Sequence, residues 1–292
     1  MLSHDLPEFR YFPCGGEITP FIFKGKKRLL INYSALNGDL PKGEPDHARM
    51  VDPADNRVLS SFMEGHYFMS AFVVDGKCWC FGSEVGCRGT WKAVRINSVF
   101  SEDLIHWSQP KLVMEYPSGH VFNTAAAFDG KRYVLLYETD DPKYPKFTFK
   151  FLESPDLIHW KEVENAIYGQ DKYVGGPAMY YLPDGYFYVT YVNSFRNPEN
   201  GHENWDTRIA RSRDLIHWEE GSHPVISPDY SHQPDPEHHP DVFEINASDA
   251  EFLEENGKTT VYCNGGNQMG ISDSAISVFN GTMQELFLRF FP

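Results

Sequence analysis

An all-β chain built from five similar units is what this sequence predicts, and three observations carry the prediction. The phrase Ser-x-Asp-Leu-Ile-His-Trp occurs three times, as "SEDLIHW" at 101–107, "SPDLIHW" at 154–160 and "SRDLIHW" at 212–218. Aromatic residues make up 15% of the 292 residues, and 23 Gly and 20 Pro punctuate the chain. That mix favours short strands joined by tight turns over long helices. Five apolar runs each reach a Gly-containing turn and come back as an aromatic-rich run. The copies of the phrase begin 53 and 58 residues apart. A period of about 50 in a strand-rich chain is the signature of a β-propeller with one four-stranded blade per repeat.

In chain order the five runs are "ITPFIFKGKKRLLINYS" (18–34), "HYFMSAFVVDGKCWCFGS" (66–83), "FNTAAAFDGKRYVLLYE" (122–138), "GPAMYYLPDGYFYVTYV" (176–192) and "SDAEFLEENGKTTVYCN" (248–264). Each reads as the inner hairpin of one blade, turning at its Gly. The inner strands are expected to start near residues 18, 66, 122, 176 and 248. The repeated phrase follows the alternating runs "KAVRINSVF", "FTFKFLE" and "TRIARS", which places it at the turn between a blade's two outer strands. There Ser and Asp bond nearby backbone groups and close the turn, while Leu, Ile and Trp cover the sheet edge. Three equivalent positions on three blades do not converge on one ligand, so His106, His159 and His217 are expected to be structural. Hairpins and outer strands account for nearly the whole chain, giving an all-β, five-bladed β-propeller as a single domain over 1–292.

Composition narrows the function. Basic residues number 26 against 41 acidic, for a net charge of −15. A nucleic-acid binder needs a basic face to replace phosphate counterions, and the short basic run "KGKKR" at 24–28 reads as a hairpin turn. No nucleic-acid partner is expected. No stretch approaches the roughly 18 apolar residues of a spanning helix, so no membrane partner is expected either. The start "MLSHDLPEFRYFPCGG" has neither the basic nor the apolar region of a secretory signal, and the expected location is cytoplasmic. Cys14, Cys78, Cys80, Cys87 and Cys263 fit neither a zinc site nor a disulfide framework and read as reduced thiols. The segment "SHQPDPEHHPDVFE" at 231–244 sets His232, His238 and His239 among acids and prolines. Its spacing matches no standard metal site, so it reads as a rigid loop; no cofactor is expected, and the sequence neither predicts nor excludes a central calcium or sodium ion.

The Ser-x-Asp-Leu-x-x-Trp repeat together with the five hairpins resembles the five-bladed propeller glycosidases: glycoside hydrolase families 43, 32, 62, 68 and 117 and the family 130 phosphorylases. The resemblance covers residues from about 15 to 290. It implies a carboxylate base, a carboxylic acid and a third, tuning carboxylate near the starts of the inner strands. Glycoside cleavage needs such a pair because one group activates water while the other protonates the leaving oxygen. Most of these families invert configuration; families 32 and 68 retain it. The family 43 pattern implies an Asp just before Pro on the first inner strand, an Asp on the third and a Glu-x-Pro element on the fourth. This chain has Thr19 before Pro20, Asn123-Thr124 and Gly175-Gly176-Pro177 at those places. The fourth strand carries no nearby carboxylate, so that triad does not transfer.

Other residues are therefore the candidates. Glu17 lies one strand period before Thr19, on the same face. "NASDAEF" puts Asp249 and Glu251 on one strand face at the inner start of the fifth run. In a closed ring, blades one and five are neighbours, and Glu17 with Asp249 or Glu251 is the expected catalytic set. Burial and like charge would raise the pKa of one member. His66, Asn123, Glu138, Arg208 and Gln268 are the expected substrate-binding residues: a His opening the second inner run, an amide and a Glu on the third hairpin, an Arg on an outer strand and an amide in "NGGNQMG". The expected function is a glycoside hydrolase cleaving a terminal sugar from small oligosaccharides. The alternatives are a carbohydrate-binding propeller without catalysis and a glycoside phosphorylase.

Overall fold

The structure is a computed structural model that describes residues 1–12, 16–86, 90–144, 146–198 and 201–292. The chain divides into two compact units, residues 16–171 and residues 172–292 together with 1–15. The first strand of the chain, β1 (Arg10–Phe12), belongs to the latter unit.

Unit 16–171 holds three four-stranded antiparallel sheets. The first comprises β2 (Ile18–Phe23), β3 (Lys26–Tyr33), β4 (His47–Asp52) and β5 (Arg57–Phe62). The second comprises β6 (His66–Val74), β7 (Lys77–Glu84), β8 (Arg95–Ser101) and β9 (Lys111–Glu115). The third comprises β10 (Val121–Phe128), β11 (Tyr133–Thr139), β12 (Thr148–Ser154) and β13 (Lys161–Tyr168). Each runs in simple up-and-down order, as a blade should.

The other unit carries the two remaining blades. One is β14 (Gly175–Tyr181), β15 (Phe187–Arg196), β16 (Glu203–Ser212) and β17 (Trp218–Glu220). The other is β18 (Asn246–Glu255), β19 (Lys258–Gly266) and β20 (Ser274–Phe279), completed by β1, which pairs with β20 through Arg10↔Ile276. A parallel contact, Trp205↔Asn246, joins the two into one sheet. The fourth strand of the last blade thus comes from the N-terminal segment. The hairpin pattern does not reveal this strand, because "RYF" is too short to show a period.

The inner strands start at Ile18, His66, Val121, Gly175 and Asn246, each within two residues of expectation. Their turns explain why. Lys24-Gly25 (φ 48°, 73°), Asp75-Gly76 (50°, 73°) and Asn256-Gly257 (54°, 69°) all have two left-handed residues. That is the two-residue hairpin geometry whose twist matches the flanking strands.

The repeated phrase sits where the sequence places it. Ser101, Ser154 and Ser212 end β8, β12 and β16, the third strand of each blade. In the last copy, Ser212 Oγ accepts the Leu215 N–H at 2.9 Å, and Asp214 Oδ1 accepts those of Ile216 and His217 at 2.9 and 2.8 Å. Asp214 Oδ2 faces His217 Nδ1 at 2.7 Å. The other two copies repeat these aspartate contacts. Leu104, Leu157 and Leu215 are left-handed (φ 64°, 63° and 68°) and buried. The side-chain bonds hold that unfavourable backbone, and leucine burial offsets its strain. The histidine side chains remain 80–85% exposed. Since β8 runs parallel to β6, the phrase lies about 20 Å along the sheet from the inner-strand start, by strand rise.

Between sheets the core is aromatic and aliphatic. Phe21, Leu30, Met50, Met69 and Cys80 form one cluster, and Tyr67, Phe81, Leu135 and Tyr137 another. Cys78, Cys80 and Cys263 are free and buried; Cys14 and Cys87 lie outside the described residues. The helix α1 (Met283–Leu288) starts on a capping box in which Thr282 accepts from the Glu285 N–H and Glu285 accepts from the Thr282 N–H. It buries Leu286 and Phe287 against Phe252 and Tyr188. Among the described residues no helix is long and apolar enough to cross a membrane.

Candidate functional site

The inner strands share a device that the sequence hid. β2 pairs with β3 in regular register, but the other four inner strands slip near their starts. The slips lie between Tyr67 and Ser70, Val121 and Thr124, Gly175 and Ala178, and Ser248 and Glu251. Phe68, Gly176 and Asp249 are left-handed there, at φ 58°, 49° and 52°. Such bulges re-aim side chains and are common beside functional sites.

In the unit of residues 172–292 the bulge re-aims Asp249. A Cβ built on Gly176 would collide with Asp249 Oδ1, so the glycine supplies the space that the carboxylate fills. The fourth inner strand, which lacks an acid of its own, thus receives one from the fifth. Ser248 Oγ donates to Asp249 Oδ2, Asn246 Nδ2 donates to Ser248 Oγ at 2.9 Å, and Gln268 Nε2 donates to Asn246 Oδ1 at 2.9 Å. Burial raises the Asp249 pKa, against a smaller lowering by the Ser248 hydroxyl. The cause is desolvation, which penalises the ionised carboxyl.

The same bulge corrects the expectation that Asp249 and Glu251 share a strand face. The extra residue breaks the period-two alternation on which that expectation rests. Glu251 instead accepts from the Tyr180 hydroxyl at 2.9 Å, and the same oxygen of Tyr180 accepts the Phe252 N–H at 2.7 Å. Burial, reinforced by the charge of Glu251, pushes the Tyr180 pKa well up and keeps its proton on. Arg208 forks onto Asp206, with Nε at 3.0 Å and Nη2 at 2.9 Å from Oδ2, while Asn193 Nδ2 donates to Asp206 Oδ1 at 2.9 Å. Arg208 therefore holds an intramolecular partner, and Asp206 with Asn193 extends that polar row. Gln268 is exposed, left-handed (φ 57°), and bonded back to Asn246.

In unit 16–171, Glu17 precedes β2, is partly buried, and accepts the Asn32 N–H on its backbone carbonyl at 3.0 Å. His66 opens β6 and is buried. Its Nε2 faces Asn97 Nδ2 at 2.9 Å and its Nδ1 faces the Glu64 carbonyl at 3.2 Å. The amide donates to Nε2, so Nδ1 carries the proton. Burial lowers the His66 pKa. Both ring nitrogens have protein partners, so a sugar hydroxyl would have to displace one. Asn123 Nδ2 donates to Glu138 Oε2 at 3.0 Å, and Glu138 is buried. The third-strand amide is thereby tied to the hairpin Glu, a pair that the sequence brought out as two separate candidates.

Two groups of three potential metal donors converge among the described residues: His4, Asp5 and His223, and His232, Glu244 and Asp273. In the second, His232 Nε2 faces Asp273 Oδ2 at 2.7 Å and Tyr11 stacks on the imidazole at 3.6 Å. His238 is 75% exposed and bonded to Asp235, so the histidines of 231–244 do not gather at one point.

No family model matches the sequence, and no curated protein matches it. Solved structures do. BT0996, solved in complex with RGII, superposes with a TM-score of 0.67 at 12% identity, covering 96% of this protein and 93% of that one. The Bacillus subtilis arabinanase Arb43A gives 0.58 at 13%, covering 94% and 95%. The α-L-arabinofuranosidase of Lactobacillus brevis gives 0.61 at 10%, covering 92% of each. The chain therefore has the all-β fold of the five-bladed β-propeller glycosidases.

Proposed function

We propose that this chain is a glycoside hydrolase that releases a terminal sugar from small oligosaccharides, with Asp249 as the proton donor. The observation that carries the reading is the Asp249 carboxyl seated over Gly176 with a raised pKa. A general acid must hold its proton near working pH, and burial is how a carboxyl does so. The Gln268–Asn246–Ser248 chain holds Oδ2, and Oδ1 lies against Gly176. Glu251, in the same unit, is the acid to test as the second carboxylate. Structures with this fold include an arabinanase and an arabinofuranosidase, which makes arabinose-containing oligosaccharides the first substrates to try.

The test is a screen of aryl glycosides and of arabino- and xylo-oligosaccharides, followed by Asp249→Asn on any active substrate. Loss of a general acid costs about 10²–10⁴ in rate. That loss should be large on an oligosaccharide and much smaller on a dinitrophenyl glycoside, whose leaving group needs no proton. Equal losses on both would remove Asp249 from the acid role. Saturable sugar binding with no turnover on any substrate would replace the hydrolase with a binding propeller.

A further inference from the structure

The third blade contains a polar cavity, formed by a break in its outer strand. Lys150 pairs with Ile167 and Leu152 with Glu162, so β13 advances five residues while β12 advances two. Residues 163–166 therefore arch away from the sheet, with Asn165 left-handed at φ 59°. Beneath the arch lies a cavity of about 430 Å³. That volume falls within the range of small-molecule sites.

Its floor is Tyr137, which pairs across the sheet with Lys150 and is fully buried. The Tyr137 hydroxyl has no hydrogen-bond partner among the described residues. Buried polar groups are almost always paired, because an orphan forfeits its bonds to water. Burial also raises the Tyr137 pKa far above its ordinary value, so the phenol stays neutral and keeps its proton to donate.

The walls decide what the hydroxyl waits for. Lys150 is already neutralised by Asp141 at 2.8 Å and bonded to the Tyr116 hydroxyl. Lys143 also lines the cavity, together with Glu162 beside the arch and Glu164 on it. An anion would meet those two carboxylates, and a cation would meet the two ammonium groups. Asn165 and Gln170 add amides, which both donate and accept. A neutral ligand bearing several hydroxyls matches this mixture. We propose that the cavity under the β13 arch is a second carbohydrate-binding site, with the Tyr137 hydroxyl donating to a sugar oxygen. The choice of a sugar rests on the hydrolase reading, but the site itself stands apart from Asp249 and requires no turnover.

The experiment uses the full chain with ¹³C-labelled tyrosine, titrated with arabinotriose, xylotriose and fructotriose at millimolar concentrations. The Tyr137 ring resonance, assigned with Tyr137→Phe, should shift saturably with at least one sugar. Binding at this site, followed by Tyr144 in the same cavity, should weaken about tenfold in Tyr137→Phe, the size of one neutral hydrogen bond. Asn165→Ala should weaken it as well. Tyr137→Phe removes an orphan hydroxyl, so it should melt no lower than the parent, and its turnover of an aryl glycoside should not change. No saturable shift with any of the three sugars overturns the site, and so does unchanged affinity in both variants. Failure of the hydrolase reading would show separately, as absent turnover beside an intact Tyr137 titration.

Discussion

Asp214 and Asp249 stand beside or on left-handed residues, at opposite ends of their blades, and the surroundings drive them in opposite directions. At the outer turn, Asp214 accepts two backbone N–H bonds and faces His217 Nδ1. Those bonds, the His217 side chain foremost, hold its carboxyl far below the usual range. Asp103 and Asp156 repeat the arrangement and the direction. At the inner bulge, Asp249 has one hydroxyl donor and is packed over Gly176, and burial raises its pKa. Donor count and burial decide the sign. A carboxylate saturated by local donors is a fastening, whereas one short of donors in a shielded place is available for proton transfer. The conspicuous thrice-written phrase is therefore structural, and the single Asp in "NASDAEF" is the chemical candidate.

The largest expected effect would break the comparison if it failed. Asp249→Asn should lower kcat on an oligosaccharide by about 10²–10⁴, while His159→Gln leaves kcat unchanged, as steady-state kinetics on the folded variants would show. Next comes Gly176→Ala. A left-handed backbone costs a non-glycine residue about 1–2 kcal/mol. The new methyl also displaces Asp249, and misplacement by about 1 Å can cost 10²-fold in rate. Urea melts and kinetics should therefore both report damage. Ser154→Ala should lose about 1 kcal/mol of stability, the worth of a typical hydrogen bond, with kcat unchanged.

The smallest effect is a pH dependence. His66 has a folded pKa below its ordinary value of 6.5, so the unfolded chain binds more protons between the two values. Stability should fall as pH drops below about 6.5 and level off beneath the folded pKa. His66→Gln should remove that part of the slope in melts taken between about pH 7 and pH 5. An unchanged slope would mean that burial does not hold the ring neutral.

What could be read from the sequence follows the range of the interactions. Hairpin turns depend on adjacent residues, and Lys24-Gly25, Asp75-Gly76 and Asn256-Gly257 marked the inner strands directly. The outer turn depends on Ser212, Asp214 and His217, all within six residues, and its place was likewise legible. The bulges were not, because a register slip depends on the partner strand; the one signal was Gly175-Gly176, standing where the resemblance implied a Glu and its following residue. Tyr180 on Glu251 spans 71 residues and left no trace in either local pattern. The β13 arch escaped for the same reason, and strand β1 because three residues are too few to show a period.

The most direct measurement is a ¹³C NMR titration of the aspartate side-chain carboxyls in the folded protein, with Asp249, Asp103, Asp156 and Asp214 assigned by their Asn variants. The account predicts that Asp249 titrates above 3.8 while the other three titrate well below it. An Asp249 carboxyl that titrates at or below 3.8 would contradict it, because the bulge would then be one more fastening and the proton donor would have to be found elsewhere.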